Sequence, residues 1–432
     1  MDSIFALASA AGRAGVAVYR LSGPKVAETV RSLTGADLPP PRRAVFRSIF
    51  HKGELIDQGL VIWFPAPASF TGEDVAELQI HGGRAVAQAL TEALRASGLR
   101  PAEPGEFSRR AFEAGKLDLT QAEAIADLVD AETAAQRRQA LRQMDGALLR
   151  LYEDWRERLL RAQAHLEAEI DFSDEDLPGG LSEAARLSLQ DMMAEMSLHL
   201  ADGHRGERLR DGLHATILGS PNVGKSSLLN RIAGREAAIV SSQAGTTRDV
   251  IEVHLDLGGY PVVLADTAGL REAGEAVEEE GIRRARARAE AADLKLVVFD
   301  ASQPVDAAVL ELVDDQSLVL LNKSDLAAAD FPLKGMAVSA KTGDGLDVLL
   351  AELARRAADV LEGSGAPALT RARHRAAIED ALENLRHALH AGLPELAAED
   401  VRLASRALGR ITGRVDVEDM LDIIFREFCI GK

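Results

Sequence analysis

Short apolar runs in the first quarter of the chain have two different periods. Runs in which apolar and polar residues alternate are typical of half-buried strands, and apolar residues at three- and four-residue steps are typical of amphipathic helices. The predicted strands cover residues 15–23, 60–64 and 75–81, and the predicted helices cover residues 24–33 and 85–96. We therefore predict an α+β domain over residues 1–116.

From residue 117 the spacing is that of long helices. One apolar stripe indicates a helix that packs one face against its neighbours. Its members are Leu141, Met144, Leu148, Leu151, Trp155, Leu159, Ala162 and Leu166. Further helices are predicted over residues 181–200, around Ile378, Leu382, Leu385 and Leu389, over residues 401–411, and after Asp416, which is positioned as a cap. The pattern predicts one all-α helical domain in two parts, residues 117–211 and 363–432.

Between these two parts, continuous apolar runs predict buried parallel strands. They cover residues 214–218, 296–299 and 318–321. Two more strands, residues 250–257 and 260–265, are joined by Gly258 and Gly259, which is a two-residue hairpin signal. Polar, glycine-bearing segments flank the region at residues 203–212 and 363–367. We predict an inserted α/β domain over residues 212–362.

Composition narrows the class of protein. The 432 residues are 47% hydrophobic and 27% charged, as is ordinary for globular proteins, and a single Cys excludes an internal disulfide framework. No apolar run reaches the roughly 18 residues that a membrane span needs, and the first residues lack a basic signal-peptide region. We therefore predict a cytoplasmic protein without a membrane partner. A formal net charge of −18 means that any RNA must be met by a local basic patch or by another subunit.

The strand predicted over residues 214–218 leads into G-S-P-N-V-G-K-S, residues 219–226. This segment matches the phosphate-binding loop G-x-x-x-x-G-K-[ST], whose backbone N–H groups, with the helix N-terminus behind them, bind phosphate oxygens. Lys225 is predicted to reach the β- and γ-phosphates of a nucleotide. The Ser226 hydroxyl is predicted to bind Mg²⁺.

Two further segments follow in the order that a nucleotide-hydrolysing domain requires. G-T-T-R-D, residues 245–249, contains Thr247, which is predicted to complete the Mg²⁺ shell and to sense the γ-phosphate. A later strand ends in D-T-A-G, residues 266–269. Here Asp266 is predicted to hold Mg²⁺ through water, and the Gly269 N–H is predicted to contact the γ-phosphate.

The base is predicted to be guanine. In N-K-S-D, residues 322–325, the carboxylate of Asp325 can accept hydrogen bonds from the N1–H and the exocyclic amine of guanine, a donor pair that adenine lacks. Residues 339–341 are predicted to supply a backbone N–H for the guanine O6. Five motifs in this order predict an α/β P-loop GTPase domain, inserted in the all-α helical domain and preceded by the α+β domain.

Hydrolysis needs groups that these motifs do not supply. Ras-type enzymes orient the attacking water with a Gln directly after D-x-x-G, whereas this chain has Leu270. Acidic candidates in the following loop are Glu272, Glu275, Glu278, Glu279 and Glu280. Asn222 in the phosphate loop has two interpretations that the residues leave open. It shapes the loop, or its side-chain carbonyl holds a monovalent cation that stabilises charge developing at the β/γ bridge.

The chain resembles the MnmE (TrmE) tRNA-modification GTPases from end to end. Within the nucleotide domain the matching blocks are G-S-P-N-V-G-K-S (219–226), G-T-T-R-D (245–249) and D-T-A-G-L-R-E (266–272). Elsewhere they are S-F-T-G-E-D (69–74), H-G-G (81–83), P-G-E-F-S (104–108), K-L-D-L-T-Q-A-E-A (116–124) and the terminal F-C-I-G-K (428–432). The first set is shared with many GTPases, whereas the second set is specific to this family.

The resemblance implies a GTPase that potassium stimulates when its nucleotide domains dimerise, with Glu278 as the catalytic residue. It implies Mg²⁺ on Ser226 and Thr247, and K⁺ on Asn222, Ser241, Gln243 and Thr246. The predicted GTP-binding set is Asn222, Val223, Gly224, Lys225, Ser226, Ser227, Ser241, Ser242, Gln243, Ala244, Gly245, Thr246, Thr247, Asp266, Thr267, Ala268, Gly269, Asn322, Lys323, Asp325, Ser339, Ala340 and Lys341.

The resemblance also implies that the N-terminal α+β domain is a folate-binding domain that forms a homodimer. The ligand would be a tetrahydrofolate derivative in the 5-formyl or 5,10-methylene form. A folate needs a carboxylate for its pterin edge and cations for its glutamate tail, and the family's pattern assigns these parts to Arg20, Glu77, Lys116 and Lys432. From the residues alone, Arg20, Glu77 and Lys116 are better explained as solvated surface charges, and it is the resemblance that favours a functional role for them. Cys429 is interpreted as a thiol packed beside Phe428, in preference to a reactive thiol.

The implied function is modification of tRNA. With the flavoprotein MnmG, in a heterotetramer with two copies of each chain, the family adds a carboxymethylaminomethyl or aminomethyl group to C5 of the wobble uridine (position 34) of certain tRNAs. The tRNA would be held mostly through MnmG. The alternative is a regulatory GTPase acting in ribosome assembly, but such proteins usually carry an RNA-binding module such as a KH domain, for which the sequence offers no candidate.

Overall fold

The structure is a computed structural model of the chain. It describes residues 2–171, 183–202, 204–235, 237–239, 252–266, 292–326, 332–363, 367–415, 418–426 and 428–431. The chain forms two compact units, each assembled from segments that are distant in sequence. Unit 1 comprises Met1–Val129, Gln143–Met192 and Ala377–Lys432, and unit 2 comprises Asp130–Arg142 and Met193–Ala376.

A six-stranded sheet forms the N-terminal part of unit 1. Its order is β3-β4-β5-β2-β1-β6, and every neighbouring pair is antiparallel except β1 and β6. The elements are β1 (Ile4–Leu7), β2 (Ala14–Ser22), α1 (Val26–Thr34), β3 (Val45–His51), β4 (Glu54–Phe64), β5 (Val75–Gly82), α2 (Arg84–Ala96), β6 (Arg100–Pro101) and α3 (Glu106–Glu113). Tyr19 and Leu21 on β2 pack with α1 and α2 in one hydrophobic core. The predicted α+β fold is confirmed.

Long helices make up the rest of unit 1, although residues 134–142, 193–200 and 372–376 of these helices belong to unit 2. They are α4 (Leu119–Asp130), α5 (Ala134–Met144), α6 (Ala147–Asp171), α7 (Glu183–Leu200), α12 (Ala372–His390), α13 (Pro394–Thr412) and α14 (Glu418–Arg426). Helix α6 packs along α13. Among the helices of the described residues, none combines the length and the apolar character that crossing a membrane requires. Asp416, predicted as a cap, lies outside the described residues.

The predicted apolar stripe is wrong at its N-terminal end. Gly146 has φ 80, a left-handed conformation that separates the end of α5 at Met144 from the start of α6 at Ala147. Leu141 and Met144 on α5 are therefore exposed, by 42% and 36%, whereas Trp155 and Leu159 on α6 are buried. The spacing of apolar residues continues across Gly146, so the spacing alone does not show that one helix ends there and another begins.

Unit 2 contains the second six-stranded sheet, with the order β12-β11-β10-β7-β9-β8. All neighbours are parallel except β8 and β9, which form the predicted hairpin around Gly258 and Gly259. The elements are α8 (Arg205–Asp211), β7 (Leu213–Leu218), α9 (Lys225–Ala233), β8 (Glu252–Leu257), β9 (Tyr260–Asp266), β10 (Leu294–Asp300), α10 (Ala307–Leu310), β11 (Ser317–Asn322), β12 (Met336–Ala337) and α11 (Leu346–Leu361). Crevices at the carboxyl ends of such parallel strands are where ligands bind.

Candidate guanine-nucleotide site

The phosphate loop connects the carboxyl end of β7 to the first turn of α9. Asn222 and Gly224 have φ values of 64 and 99, so both residues adopt the left-handed conformation. A Cβ at Gly224 would lie 2.3 Å from Nδ2 of Asn322, so only glycine fits between the two segments. Asn is the residue type that tolerates positive φ best after Gly. The backbone therefore supports a loop-shaping role for Asn222, and its exposed side chain stays accessible for a second role.

Lys225 is buried at the centre of this loop. Its Nζ donates to the carbonyl oxygens of Gly219 and Ser220, each over 2.8 Å, and the residue is only 8% exposed. The loop thus wraps around the ammonium group and holds it at the N-terminus of α9, where the helix dipole also favours an anion. Ser226 and Ser227 are exposed in the same first turn.

Asn322 joins the two halves of the site. It is 1% exposed at the end of β11. Its Nδ2 donates to the Val223 carbonyl over 2.7 Å, and its Oδ1 accepts from the Ala340 N–H over 3.0 Å. One buried amide therefore fixes the phosphate loop against the segment predicted to contact the base.

The Asp325 carboxylate is held beside Asn322. The Ser339 hydroxyl donates to Asp325 Oδ1 over 2.7 Å, and this contact leaves the other carboxylate oxygen for a ligand. Lys323 Nζ lies 2.7 Å from Asp300 Oδ2. Burial alone would raise the pKa of Asp300, but hydrogen bonds from Lys323 and Ser302 outweigh it, so this pKa lies below its ordinary value. Asp300 thus stays charged and holds Lys323 in place.

A cleft of about 400 Å³ lies beside the phosphate loop. It is lined by the loop residues Ser220 to Val223, by the ends of β10 and β11, and by the segment that leads to α10. The Ser220 hydroxyl donates to Asp306, and this bond lowers the pKa of Asp306. This hydrogen bond therefore connects the phosphate loop to the segment between β10 and α10.

Several predicted site residues lie outside the described residues. They are Ser241, Ser242, Gln243, Ala244, Gly245, Thr246, Thr247, Thr267, Ala268, Gly269, Glu278 and Lys432. Asp266 is the last residue of β9, and its backbone pairs with Ile217 on β7. The structure thus brings together the ends of β7, β9, β10 and β11 around the phosphate loop. Lys341, which directly follows Ala340, is exposed.

Unit 1 holds a second candidate site, around Arg20 and Glu77. These residues face each other across β2 and β5, and Arg20 Nη2 lies 3.0 Å from Glu77 Oε1. Arg20 Nη1 also donates to the Gly431 carbonyl over 3.4 Å. The rings of Phe70 and Phe107 lie 5.8 and 5.9 Å from the guanidinium carbon. The structure therefore pairs two of the residues that are predicted to bind folate, and two aromatic rings lie beside this pair.

A buried charge network supports this pair, and sequence reasoning missed it. Arg110, with 8% of its side chain exposed, lies 3.1 Å from Glu73 and 2.9 Å from Glu106. Glu73 also accepts from the Ser22 hydroxyl over 2.6 Å. Glu73 and Glu106 belong to the same segments as Phe70 and Phe107, so one guanidinium ties both segments together. The four-residue spacing of Glu106 and Arg110 is the one signal that the sequence offered.

The remaining predictions for unit 1 have mixed outcomes. Lys116 is exposed, and a Cβ at Gly72 would lie 3.5 Å from its Cε, so it lies beside the segment that carries Phe70. The packed-thiol interpretation of Cys429 is wrong, because Cys429 is exposed and only Phe428 is buried. The tail is held through its backbone, by a bridge between Pro104 and Ile430.

Comparisons with known proteins agree with this arrangement. The N-terminus of the GTP-binding protein TrmE matches residues 3–116, and the MnmE helical domain matches residues 119–429. Over the full length of both chains, this chain is 62% identical to the tRNA modification GTPase MnmE of Paramagnetospirillum magneticum and 58% identical to that of Parvibaculum lavamentivorans. The G domain of the T. maritima FeoB iron transporter is 24% identical at a TM-score of 0.26, covering 34% of this chain and 98% of that one, a likeness too weak to carry an argument. The chain belongs to the MnmE family of tRNA modification GTPases.

Proposed function

We propose that this chain hydrolyses GTP and that, with the flavoprotein MnmG, it adds an aminomethyl or carboxymethylaminomethyl group to C5 of the wobble uridine (position 34) of certain tRNAs. The observation that carries the proposal is the guanine end of the site, in a chain that matches its relatives over their full length. There Asn322 joins the phosphate loop to residue 340, and Ser339 orients Asp325.

GTP binding follows from the contacts already described. Lys225 would exchange the carbonyls of Gly219 and Ser220 for phosphate oxygens, because these contacts already hold its ammonium group inside the loop. Asp325 accepts from the two guanine donors, and the buried Asn322 keeps the base and phosphate subsites at a fixed separation. An ATP molecule would leave the Asp325 carboxylate facing an acceptor, which costs more than a missing hydrogen bond.

The hydrolytic step is assigned to residues carried over from the family. Ser226 and Thr247 would hold Mg²⁺, with Asp266 acting through water, and Asn222, Ser241, Gln243 and Thr246 would hold K⁺. These cations supply positive charge where negative charge develops. Glu278 would orient the attacking water and accept its proton, because Leu270 can do neither. Potassium would then stimulate the reaction.

The folate assignment rests on unit 1. Arg20, Glu77, Lys116 and Lys432 would hold a tetrahydrofolate derivative, in the 5-formyl or 5,10-methylene form, which supplies a one-carbon unit when bound. The half-buried ring of Phe70 beside Arg20 supports this assignment, because an aromatic face suits a flat heterocycle. Phe46 and Leu60, paired across β3 and β4 and exposed by 62% and 37%, support a homodimer through an apolar sheet surface.

Deletion of the gene, followed by mass spectrometry of tRNA nucleosides, tests the proposal. We expect the C5 modification at position 34 to be lost, to return with the wild-type gene, and not to return with Lys225→Ala. Unchanged wobble uridines in the deletion strain would contradict the proposal. A simultaneous defect in ribosomal subunit profiles would then favour the ribosome-assembly alternative.

A further inference from the structure

Helix α5 is basic in an acidic chain. It contains Arg137, Arg138 and Arg142 and no acidic residue, whereas the whole chain has a formal net charge of −18. All three arginines are exposed. Residues 137, 138, 141 and 142 fall within an arc of about 140° on an α-helix, so the three guanidinium groups share one side. We refer to Arg137, Arg138, Leu141 and Arg142 as the arginine face.

The opposite side of α5 is committed to packing within unit 2. Ala135 and Ala140 are 5% and 1% exposed. Gln136 Nε2 and Gln139 Nε2 donate to the carbonyl oxygens of Arg210 and Gly206, each over 2.9 Å. These contacts fix the rotation of the helix about its axis. The arginine face is therefore held outward by the fold and does not depend on the helix being free to turn.

The side chains of the arginine face lack the ion pairs that several other exposed helix arginines make. Arg161 with Glu157, Arg355 with Glu352 and Arg402 with Glu399 are each paired with a carboxylate three or four residues away. In the described parts of the chain, no hydrogen bond or ion pair joins the side chain of Arg137, Arg138 or Arg142 to another residue. A helix that faces only solvent is stabilised when its arginines pair with carboxylates three or four residues away. The unpaired pattern is typical of a surface that meets an anionic partner.

We propose that the arginine face of α5 binds the phosphate backbone of the substrate tRNA. The inference rests on the proposed function, because it takes tRNA as the substrate. Guanidinium groups bind phosphate oxygens through two parallel hydrogen bonds. The negative charge of the rest of the chain repels RNA, so the contact is confined to a few phosphates. Leu141, 42% exposed among the arginines, adds an apolar contact that a flexible RNA strand accommodates.

The test uses the purified full-length chain and fluorescently labelled tRNA, with anisotropy measured over a salt series. The variant is R137Q/R138Q/R142Q. Each lost phosphate contact makes the negative slope of log K against log salt concentration less steep by about 0.7–0.9. We therefore expect the magnitude of the slope to fall by roughly two to three, with weaker binding at low salt. Thermal unfolding and GTP hydrolysis should match the wild type, which shows that the variant is folded.

The matched control is R161Q/R355Q/R402Q, which removes the same charge from exposed arginines that have partners. Equal weakening in both variants would overturn the proposal, since general repulsion would explain it. Unchanged tRNA binding in the α5 variant would overturn it as well. Stronger binding to polyglutamate than to tRNA, with the same dependence on the three arginines, would indicate an acidic protein partner instead. None of these results alters the nucleoside analysis, so failure here is distinguishable from failure of the proposed function.

Discussion

The backbone N–H of Ala135 donates to the carbonyl of Gly259 over 2.9 Å. Gly259 lies in the turn between β8 and β9, and His254 Nδ1 on β8 lies 3.1 Å from Glu132 Oε2, just before α5. The same hairpin begins after the segment that contains Thr247 and ends at Asp266. Both segments that are predicted to sense the nucleotide are therefore attached to a hairpin whose turn is fixed to α5.

The substitution Ala135→Leu tests whether α5 folds as part of the nucleotide unit. Ala135 belongs to the main hydrophobic core of that unit and is 5% exposed. A larger side chain there should lower the free energy of unfolding by about 1–3 kcal/mol and weaken GDP binding. Urea unfolding with a fluorescent GDP analogue bound measures both effects. The control Leu141→Ala, at an exposed site of the same helix, should change stability by less than about 0.5 kcal/mol. Equal effects of the two would contradict the assignment.

The substitution Asp325→Asn tests the guanine subsite. An amide presents an N–H where the carboxylate accepted one, so GTP affinity should fall by roughly 100-fold or more. Xanthosine triphosphate, whose base carries a carbonyl in place of the amine, should bind better than GTP. Competition with a fluorescent nucleotide measures both affinities. Retention of GTP binding with no gain for the xanthine nucleotide would show that Asp325 does not contact the base.

Glu278→Ala and Asn222→Ala should have different effects on hydrolysis. Removal of the proposed water-orienting acid should abolish turnover in every alkali salt, by roughly 100-fold or more, while GTP still binds. Removal of the proposed K⁺ ligand should leave slow turnover and abolish the preference of potassium over sodium. Steady-state rates in KCl and NaCl separate the two results. An unchanged rate ratio in Asn222→Ala would leave this residue with its loop-shaping role alone.

Glu77→Gln should weaken binding of a reduced folate without affecting the GTPase site. The substitution keeps the shape of the side chain but removes the charge that pairs with Arg20. We expect folate affinity to fall about tenfold or more, because charged hydrogen bonds contribute roughly 1.5–3 kcal/mol. Isothermal titration calorimetry measures this loss. Glu113→Gln, which removes an exposed pair with Arg109 on α3, is the control and should bind folate as the wild type does.

The charge network of unit 1 predicts a specific dependence of stability on pH. Burial by itself raises the pKa of Glu106, but hydrogen bonds from Arg100, the Glu103 N–H and Arg110 outweigh it and lower the pKa below its ordinary value of 4.5. A lowered folded-state pKa gives stability that is complete above the unfolded pKa and is lost as pH falls through the folded pKa. Wild type should therefore exceed Glu106→Gln in stability by roughly 1–3 kcal/mol at neutral pH. Denaturant unfolding should show this difference shrinking below pH 4.5; a constant difference would exclude the network as its source.

Much of the nucleotide unit was predictable from local pattern. Buried parallel strands are continuous apolar runs, and the loop between β7 and α9 has a fixed glycine and lysine spacing, so both follow from a few neighbouring residues. The Gly258 and Gly259 hairpin was predictable for the same reason. The role of Asn322 in joining two loops was not, because Val223 and Ala340 are brought to it only by the fold.

Features that depend on contacts between residues far apart in the chain could not be predicted from the sequence. The strands β1, β3 and β6 are short or lie at the sheet edge, so their apolar alternation is weak. Arg110 meets Glu73 across a separation of 37 residues, and no local spacing encodes that pairing. The sequence predicts α5 as part of the helical domain, and only the long-range contacts of α5 with Gly259 and Gly206 group residues 130–142 with the nucleotide unit.

Turnover of GTP and ATP by the purified full-length chain, measured in potassium buffer, tests whether the nucleotide site selects guanine. We expect steady hydrolysis of GTP, no appreciable hydrolysis of ATP, and no inhibition of GTP turnover by excess ATP, because the proposed contact of Asp325 with the base needs two donors that adenine lacks. Comparable turnover of the two nucleotides would contradict the guanine site on which the proposed role in tRNA modification rests.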